Sequence, residues 1–284
     1  MKRATKRIIV LSGVILLFLV VIFRSLWCSK YDLTMTEYRV SDPVFAENLR
    51  IVQLTDLHGM EFGKENSELI TNIQSQKPDI FAMTGDMFNS DADAEEIDKL
   101  CQLITALNRV APVFYSLGNH EIAYMESNGD AVLGELESAG AVVLEQDYED
   151  ISINGQQVRI GGAYGYLLSY RYRNGQEQEF MRDFTDTTLP TILLSHMSEG
   201  LLLYGSMEDW DVDLILSGHT HGGQIRLPFI GGLFSPETGL FPKYTKGMFT
   251  MGDSTLVLSA GLGSSGRVPR FNNPPELVVV DIIP

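Results

Sequence analysis

The chain has 284 residues, 44% of them hydrophobic, which is enough for one large buried core. Its formal net charge is -16, yet six of the 21 basic residues fall in the first thirty positions and none of the 37 acidic ones does, so the remainder is more acidic still. Such a body repels nucleic acid over most of its surface, so a nucleic-acid partner is not expected and any polyanion must be held locally, by metal.

At the amino terminus, Lys2-Arg3 and Lys6-Arg7 precede an apolar run from Ile8 to Phe23 interrupted only by Ser12 and Gly13. The run is slightly shorter than the roughly 20 residues that span a bilayer, but Arg24 can snorkel and Leu26-Trp27 can carry the segment to the interface. No A-x-A cleavage site follows, and Trp27 before Cys28 is too large for a lipoprotein signal. The expectation is an uncleaved signal-anchor over residues 1–30, with the basic end inside the cell. The chain is then a single-pass cell-membrane protein whose remaining body is extracytoplasmic. Residues 31–48 read as a linker, and residues 49–284 as one catalytic domain.

Beyond the linker, Ile51 to Thr55 reads as a strand ending in Asp56-Leu57-His58. A helix around Leu69, Ile70 and Ile73 stops before Pro78, and Ile80 to Met83 is a strand ending in Thr84-Gly85-Asp86. Ile97, Leu100, Cys101, Ile104 and Leu107 keep helical spacing, so Cys101 reads as a buried free thiol; with Cys28 it makes neither a disulfide framework nor a CxxC zinc site. A strand over Val113 to Tyr115 then ends in Gly118-Asn119-His120-Glu121. Asp130 to Ala139 is expected helical, closed by Gly140, and Asn154-Gly155 marks a hairpin between Ile151–Ile153 and Val158–Ile160, so the sheet cannot be purely parallel. Thr191 to Leu194 ends in Ser195-His196, and Leu214 to Leu216 ends in Gly218-His219-Thr220-His221. From Gly247 onward, Leu256–Leu258 and Leu277–Val280 read as antiparallel strands. Alternation of strands and helices with polar groups at each carboxyl end describes a layered α/β fold whose ligands gather beyond the strand ends.

All five histidines lie at or just after strand ends. In an extended backbone, residues two apart share a face, so His219 and His221 can reach one metal cluster. Carboxylates, imidazoles and one amide oxygen suit borderline divalent metals such as Mn, Fe, Zn, Co or Ni, and they are too many for one ion.

The ordered blocks Asp56-x-His58, Gly85-Asp86, Gly118-Asn119-His120-Glu121, His196 and Gly218-His219-x-His221 resemble the calcineurin-like metallophosphoesterases. The tail Gly261-Leu262-Gly263 through Pro269-Arg270-Phe271 to Pro274-Pro275-Glu276 resembles their membrane-anchored or exported bacterial branch. The resemblance implies mixed α/β sheets in a four-layer αββα sandwich, here preceded by one transmembrane helix. It also implies two divalent metal ions: Asp56, His58 and His221 on one, Asn119, His196 and His219 on the other, and Asp86 shared. Such a pair lowers the pKa of a bridging water and clamps the phosphoryl oxygens. His120 is the implied catalytic residue, protonating the leaving oxygen, and Glu121 stands behind the ligands.

Relatives commonly carry an acid three residues after the shared Asp, paired with the catalytic histidine; this chain has Asn89 there, which can orient His120 without raising its basicity, so either Asp91 substitutes or less is asked of the general acid. Gly261-Leu262-Gly263-Ser264-Ser265-Gly266 fits GxGxxG, but Pro269, Pro274 and Pro275 leave no room for the helix a dinucleotide site requires, and no organic cofactor is expected. That loop can border the metals, with Arg267 or Arg270 on the substrate phosphate, or serve packing alone. The stretch Leu227 to Phe234 and then Leu240 to Tyr244 is apolar for a loop: it either packs under the sheet edge or forms a lip touching the bilayer or an acyl chain. The function expected is a membrane-anchored, metal-dependent phosphodiesterase, monomeric in its catalytic domain, acting on a lipid-head or cell-envelope phosphoester. A phosphomonoesterase, or a noncatalytic metal-binding scaffold, is the alternative.

Overall fold

The computed structural model describes residues 3–164, 175–203, 207–235, 238–265 and 268–284. Helix α1 (Arg3–Tyr31) comes first, apolar enough from Ile9 onward to cross a membrane, with none of its most apolar stretch buried against protein. The elements β1 (Thr34–Ser41), β2 (Leu49–Leu54), α2 (Ser67–Ser75), β3 (Ile80–Thr84), α3 (Ala94–Asn108), β4 (Val113–Ser116), α4 (Asn119–Asn128), α5 (Ala131–Ala139) and β5 (Ala141–Leu144) follow. Next are β6 (Asp147–Ile153), β7 (Gln156–Ala163), α6 (Gly175–Thr185), β8 (Thr191–Met197), α7 (Glu199–Leu202) and β9 (Leu214–Gly218). Two small hairpins, β10 (Arg226–Leu227) with β11 (Gly231–Gly232) and β12 (Phe234–Ser235) with β13 (Gly239–Leu240), precede β14 (Gly247–Met251), β15 (Ser254–Leu258) and β16 (Glu276–Ile283).

Two six-stranded mixed sheets result, in the orders β1-β16-β2-β3-β4-β5 and β14-β15-β9-β8-β7-β6. The alternation of side chains along each strand assigns the layers. Ile51, Leu214 and Leu216 enter a core between the sheets, with Ile80, Phe114, Leu194 and Val278. Their neighbours Val52 and Leu54 face outward into the core that also holds Ile97, Leu100 and Ile104 of α3. On the far side Ile215 and Leu193 meet Phe180, Met181 and Phe184 of α6. Helices, sheet, sheet, helices is the αββα order expected.

Local chemistry explains the elements. The Asp93 side chain accepts the Glu96 amide at 2.9 Å to start α3, and Glu95 and Glu96 complement its dipole. Asn154 and Gly155 both take positive φ, 52° and 85°, which makes the tight β6–β7 turn.

The structure departs from the sequence expectation in three places. Residues 31–48 are not merely a linker: β1 pairs in parallel with β16, from Thr34 opposite Glu276 to Ser41 opposite Ile283. Its sequence, Thr-Met-Thr-Glu-Tyr-Arg-Val-Ser, has a weak inward face on which only Val40 is buried and Tyr38 half-buried, and pairing with β16 orders it, while Phe45 beyond it also enters the core. Strands β15 and β16 lie in different sheets, each with one antiparallel and one parallel neighbour. The segment after β4 continues as α4, where a strand end alone is expected.

Removal of residues 1–32 should therefore leave the sheets intact, whereas removal of residues 1–48 should lower the Tm by roughly 10 °C. The second cut strips β1 and the buried Val40 and Phe45, each worth about 1.5–3 kcal/mol, at about 2–4 °C per kcal/mol for a body this size. Thermal unfolding of the two truncations checks this.

Candidate metal centre

Polar turns leave the carboxyl ends of β2, β3, β4 and β9 and meet where the two sheets come together, beside His196, which lies within β8 near its end. The backbones of these turns are not extended. Asp56, His58, Asp86, His219 and His221 all have positive φ, between 47° and 72°, a region costly for residues with a Cβ. The extended geometry expected for His219-x-His221 is thus replaced by left-handed kinks that send the two rings to different groups. Hydrogen bonds hold the strain: Asp56 N to Gly85 O (3.0 Å), His58 N to Asp86 O (3.1 Å) and Gly263 N to Asp56 O (2.6 Å). Two glycines make the approach possible, since a Cβ at Gly118 would strike Asp86 and one at Gly218 would strike Thr55 and Asp56.

The side chains gather as Asp56, His58 and His221; as His58, Asp86 and His120; and as Asp86, His196 and His219. Asp86 Oδ2 stands between the outer groups, 3.2 Å from His196 Nε2 and 3.7 Å from His58 Nε2, while Asp56 Oδ1 lies 3.6 Å from His221 Nε2. Asn119 opens α4 beside His120. Among the described residues, the buried atoms with no hydrogen-bond partner include His58 Nε2, Asn119 Oδ1, His196 Nε2, His219 Nε2 and His221 Nδ1. Buried polar atoms normally find partners, so a cluster of electron-pair donors without them fits a cation.

The opposite ring atoms set the tautomers. His196 Nδ1 donates to Thr84 O at 2.6 Å and His58 Nδ1 donates to Asn89 Oδ1 at 3.1 Å, so in the neutral form of each ring the lone pair is on Nε2. Burial pushes His58 down to about 4, His219 down to about 3 and His221 well below the usual histidine range, so all three are neutral donors at pH 7. Burial raises Asp56 to about 6, with Asp86 adding to the rise. Burial pulls against the charge on His196 too, but the charge and hydrogen bond of Asp86 outweigh it and hold that ring's proton up to about 10. A cation there relieves both carboxylates and replaces that proton.

Asn89 does not touch His120. Its amide oxygen meets His58, and its Nδ2 donates to His58 O and Glu96 Oε1, both at 3.1 Å. His120 Nδ1 instead accepts the Ser90 backbone N–H at 3.1 Å, and Asp91 is exposed to solvent. Arg270 is likewise not a substrate group: it is buried and donates to the carbonyls of Asn273, Gly261, Gly263 and Pro274. Arg267 lies outside the described residues. The Gly261–Gly263 loop packs on the Asp56 turn, as Leu262 N to Thr55 O (3.0 Å) shows, and so borders the centre.

Two residues matter more than the sequence signals. Glu121 is fully buried and accepts from Asp86 N, Met87 N and Gly118 N at 2.8–2.9 Å and from Tyr115 Oη at 2.6 Å, joining the turn after β3 to the turn after β4. Asn273 donates to His221 O at 2.7 Å and receives no attention from pattern alone; an Asn before Pro-Pro is the only hint. The apolar loop divides: Phe229, Ile230, Leu240 and Phe241 are exposed, whereas Leu233, Phe234 and Tyr244 are half-buried.

The calcineurin-like phosphoesterase family model matches residues 49–223. The chain is 30% identical over 237 residues to the Bacillus subtilis protein named Uncharacterized metallophosphoesterase YkuE, covering 82% of this chain and 78% of that one. It is 28% identical over 240 residues to Phosphodiesterase YaeI of Escherichia coli, covering 84% and 83%. Among solved structures, the Phosphopantetheinyl Hydrolase (PptH) of Mycobacterium tuberculosis is similar with a TM-score of 0.46 at 14% identity, covering 82% of this chain and 95% of that one.

Replacement of Glu121 by Gln turns one oxygen of the clamp into a donor facing a backbone N–H. It should cost about 1–3 kcal/mol, read as a lower Tm, and should weaken metal binding because the Asp86 turn loosens. Thermal unfolding beside a calorimetric metal titration checks both.

Proposed function

The chain belongs to the calcineurin-like phosphoesterase family, and from that premise we propose that it is a membrane-anchored phosphodiesterase with a dinuclear metal centre, acting outside the cytoplasm on a lipid-head or cell-envelope phosphoester. The observation that carries the reading is the set of buried, unpartnered donors arranged in two groups about Asp86. Asp56, His58 and His221 would hold one divalent ion, Asn119, His196 and His219 the other, with Asp86 shared; the mixed N and O donors suit Mn, Fe, Zn, Co or Ni. Bound there, the ions would supply activation of the nucleophile and neutralisation of charge on the phosphoryl group.

The chain's own residues do the rest. Because His120 Nδ1 accepts the Ser90 N–H, the neutral ring carries its hydrogen on Nε2 and can give it to a departing oxygen. His120 N donates to Asp86 Oδ1 at 2.8 Å, and its ring meets His58 edge-on at 4.7 Å, which fixes the donor beside the ligands. A lone pair is thereby withheld from the metals, in keeping with a proton donor.

A diester is favoured on two grounds. Arg270 commits its N–H groups to backbone carbonyls and so offers no free donor to the second anionic oxygen of a monoester. A relative of 28% identity is named a phosphodiesterase. The anchor rests on α1, whose apolar surface runs all round the helix and is unburied, and which ends in Phe23, Trp27 and Tyr31, one turn apart with tilted rings in contact. Its basic start supports an outside position for the body by the positive-inside bias. The catalytic body then begins at β1.

Two variants test the centre. Asp86→Ala should lose both metals, because it removes the shared ligand. His120→Ala should keep them while turnover on alkyl diesters falls about 10²–10⁴-fold. Metal content measured beside rate decides, and metal loss in His120→Ala would contradict its role. Asn89→Asp should raise metal affinity through His58 and change rates on good and poor leaving groups by the same factor; selectivity for poor leaving groups would instead place Asn89 on the proton donor.

A further inference from the structure

The hairpins after β9 carry aromatic and aliphatic side chains into solvent beside a polar centre. Phe229 at the tip of β10–β11 is fully exposed, Ile230 is 60% exposed, and Leu240 and Phe241 on β13 and just after it are 67% and 63% exposed. Phe229 and Phe241 also take positive φ, 66° and 56°, which is rare for a bulky residue and is kept here by turns that aim the rings away from the body. Packing under the sheet edge does not account for them.

Their position supplies the partner. Near the end of α1, Ser25 Oγ accepts Asn272 N at 2.9 Å and Ser29 Oγ accepts Asn273 N at 3.0 Å. Only Arg24 separates Ser25 from the apolar run, so this junction lies near the height where the helix leaves the bilayer. From Asn272 the contact passes to the first hairpin: Asn272 Nδ2 donates to Arg226 O at 3.1 Å and Arg226 N to Phe271 O at 3.0 Å. Phe229 is three residues further on, within about 10 Å of Arg226 at about 3.4 Å per residue. The second hairpin is tied to the first through Leu233, whose N meets Gly223 O and Ile225 O and whose O accepts Phe241 N. From Asn273 the same junction reaches the metal centre, by Nδ2 to His221 O.

We propose that Phe229, Ile230, Leu240 and Phe241 enter the outer interface of the bilayer that α1 crosses, so that the metal centre works on phosphodiesters lying in that membrane surface. The proposal rests on the anchored reading of α1. An acidic body gains nothing from anionic headgroups, so apolar insertion is the attraction available to it, with exposed Lys243 and its neighbour Tyr244 at the polar edge. The centre is reached from the lipid side because the tips and the His221 turn share one hydrogen-bonded frame.

The test uses the full chain reconstituted in phosphatidylcholine vesicles. In a Cys28→Ala, Cys101→Ala background, single variants Phe229→Cys, Phe241→Cys and, as a distant exposed control, Ser152→Cys are given a fluorophore. The expected result is quenching at 229 and 241 by brominated lipid and shielding from iodide, with the reverse at 152. Labels at 229 and 241 as open to iodide as the control overturn the proposal. Alkaline carbonate reports on α1 separately: extraction of a chain whose tips had met lipid overturns the anchor and leaves the lip standing. In parallel, Phe229→Ser with Phe241→Ser should lower turnover of an acylated para-nitrophenyl phosphodiester in the bilayer about tenfold and leave soluble bis(para-nitrophenyl) phosphate unchanged. Equal loss on both substrates would mean that these side chains support the fold, and would sink the idea.

Discussion

Two carboxylates and a set of nitrogen and oxygen lone pairs are buried together where the sheets meet, without enough donors to satisfy them. Each unsatisfied neutral atom costs about 1–3 kcal/mol, and a buried uncompensated charge costs several more. A divalent cation bound there would remove this penalty at many atoms at once, which would couple metal binding to the stability of the centre. The left-handed turns, the glycines at Gly118 and Gly218, and the depressed basicity of His58, His219 and His221 all follow from crowding these donors into one small, dry volume.

Neither sheet builds the centre alone. The first sends Asp56, His58, Asp86, Asn119 and His120 from β2, β3 and β4; the second sends His196, His219 and His221 from β8 and β9. Alignment to fractions of an ångström depends on buried polar links. Glu121 locks the β3 turn to the β4 turn, Gln53 donates to Thr84 Oγ1 and Ser217 O across the seam, and the Asp56 carboxylate accepts His219 N at 3.1 Å. Such links are strong only when fully satisfied, and the Glu121 clamp is satisfied on every side.

The long helix and the candidate metal centre share one segment. Asn273 stands between them: its backbone N donates to Ser29 Oγ and its side-chain Nδ2 to the carbonyl of His221, so one residue ties the helix to the His221 turn. The rings of Phe23, Trp27 and Tyr31 give that helix an aromatic border, and Arg24 pairs with Asp32 at 3.6 Å where the chain turns toward β1.

What the sequence determined by itself is whatever is local in origin. The apolar α1, the buried strands β2, β3, β4, β8 and β9, the α3 stripe and the Asn154-Gly155 turn each follow from a period or a turn preference within a dozen residues. The polar blocks were legible because each sits directly after such a strand or, for His196, within the end of β8. The tertiary structure decided the features whose cause is a distant partner. Strand β1 is ordered by β16, some 240 residues away. Asn89 meets His58 rather than His120, and Arg270 spends its donors on neighbouring carbonyls rather than on substrate. Helix α4 starts where Glu121 folds back under Asp86, and the outward rings of Phe229 and Phe241 depend on hairpins held by Gly223 and Leu233. Hydrophobic period is a property of the chain, while hydrogen-bond partners and exposure are properties of the packed layers, and only packing could select them.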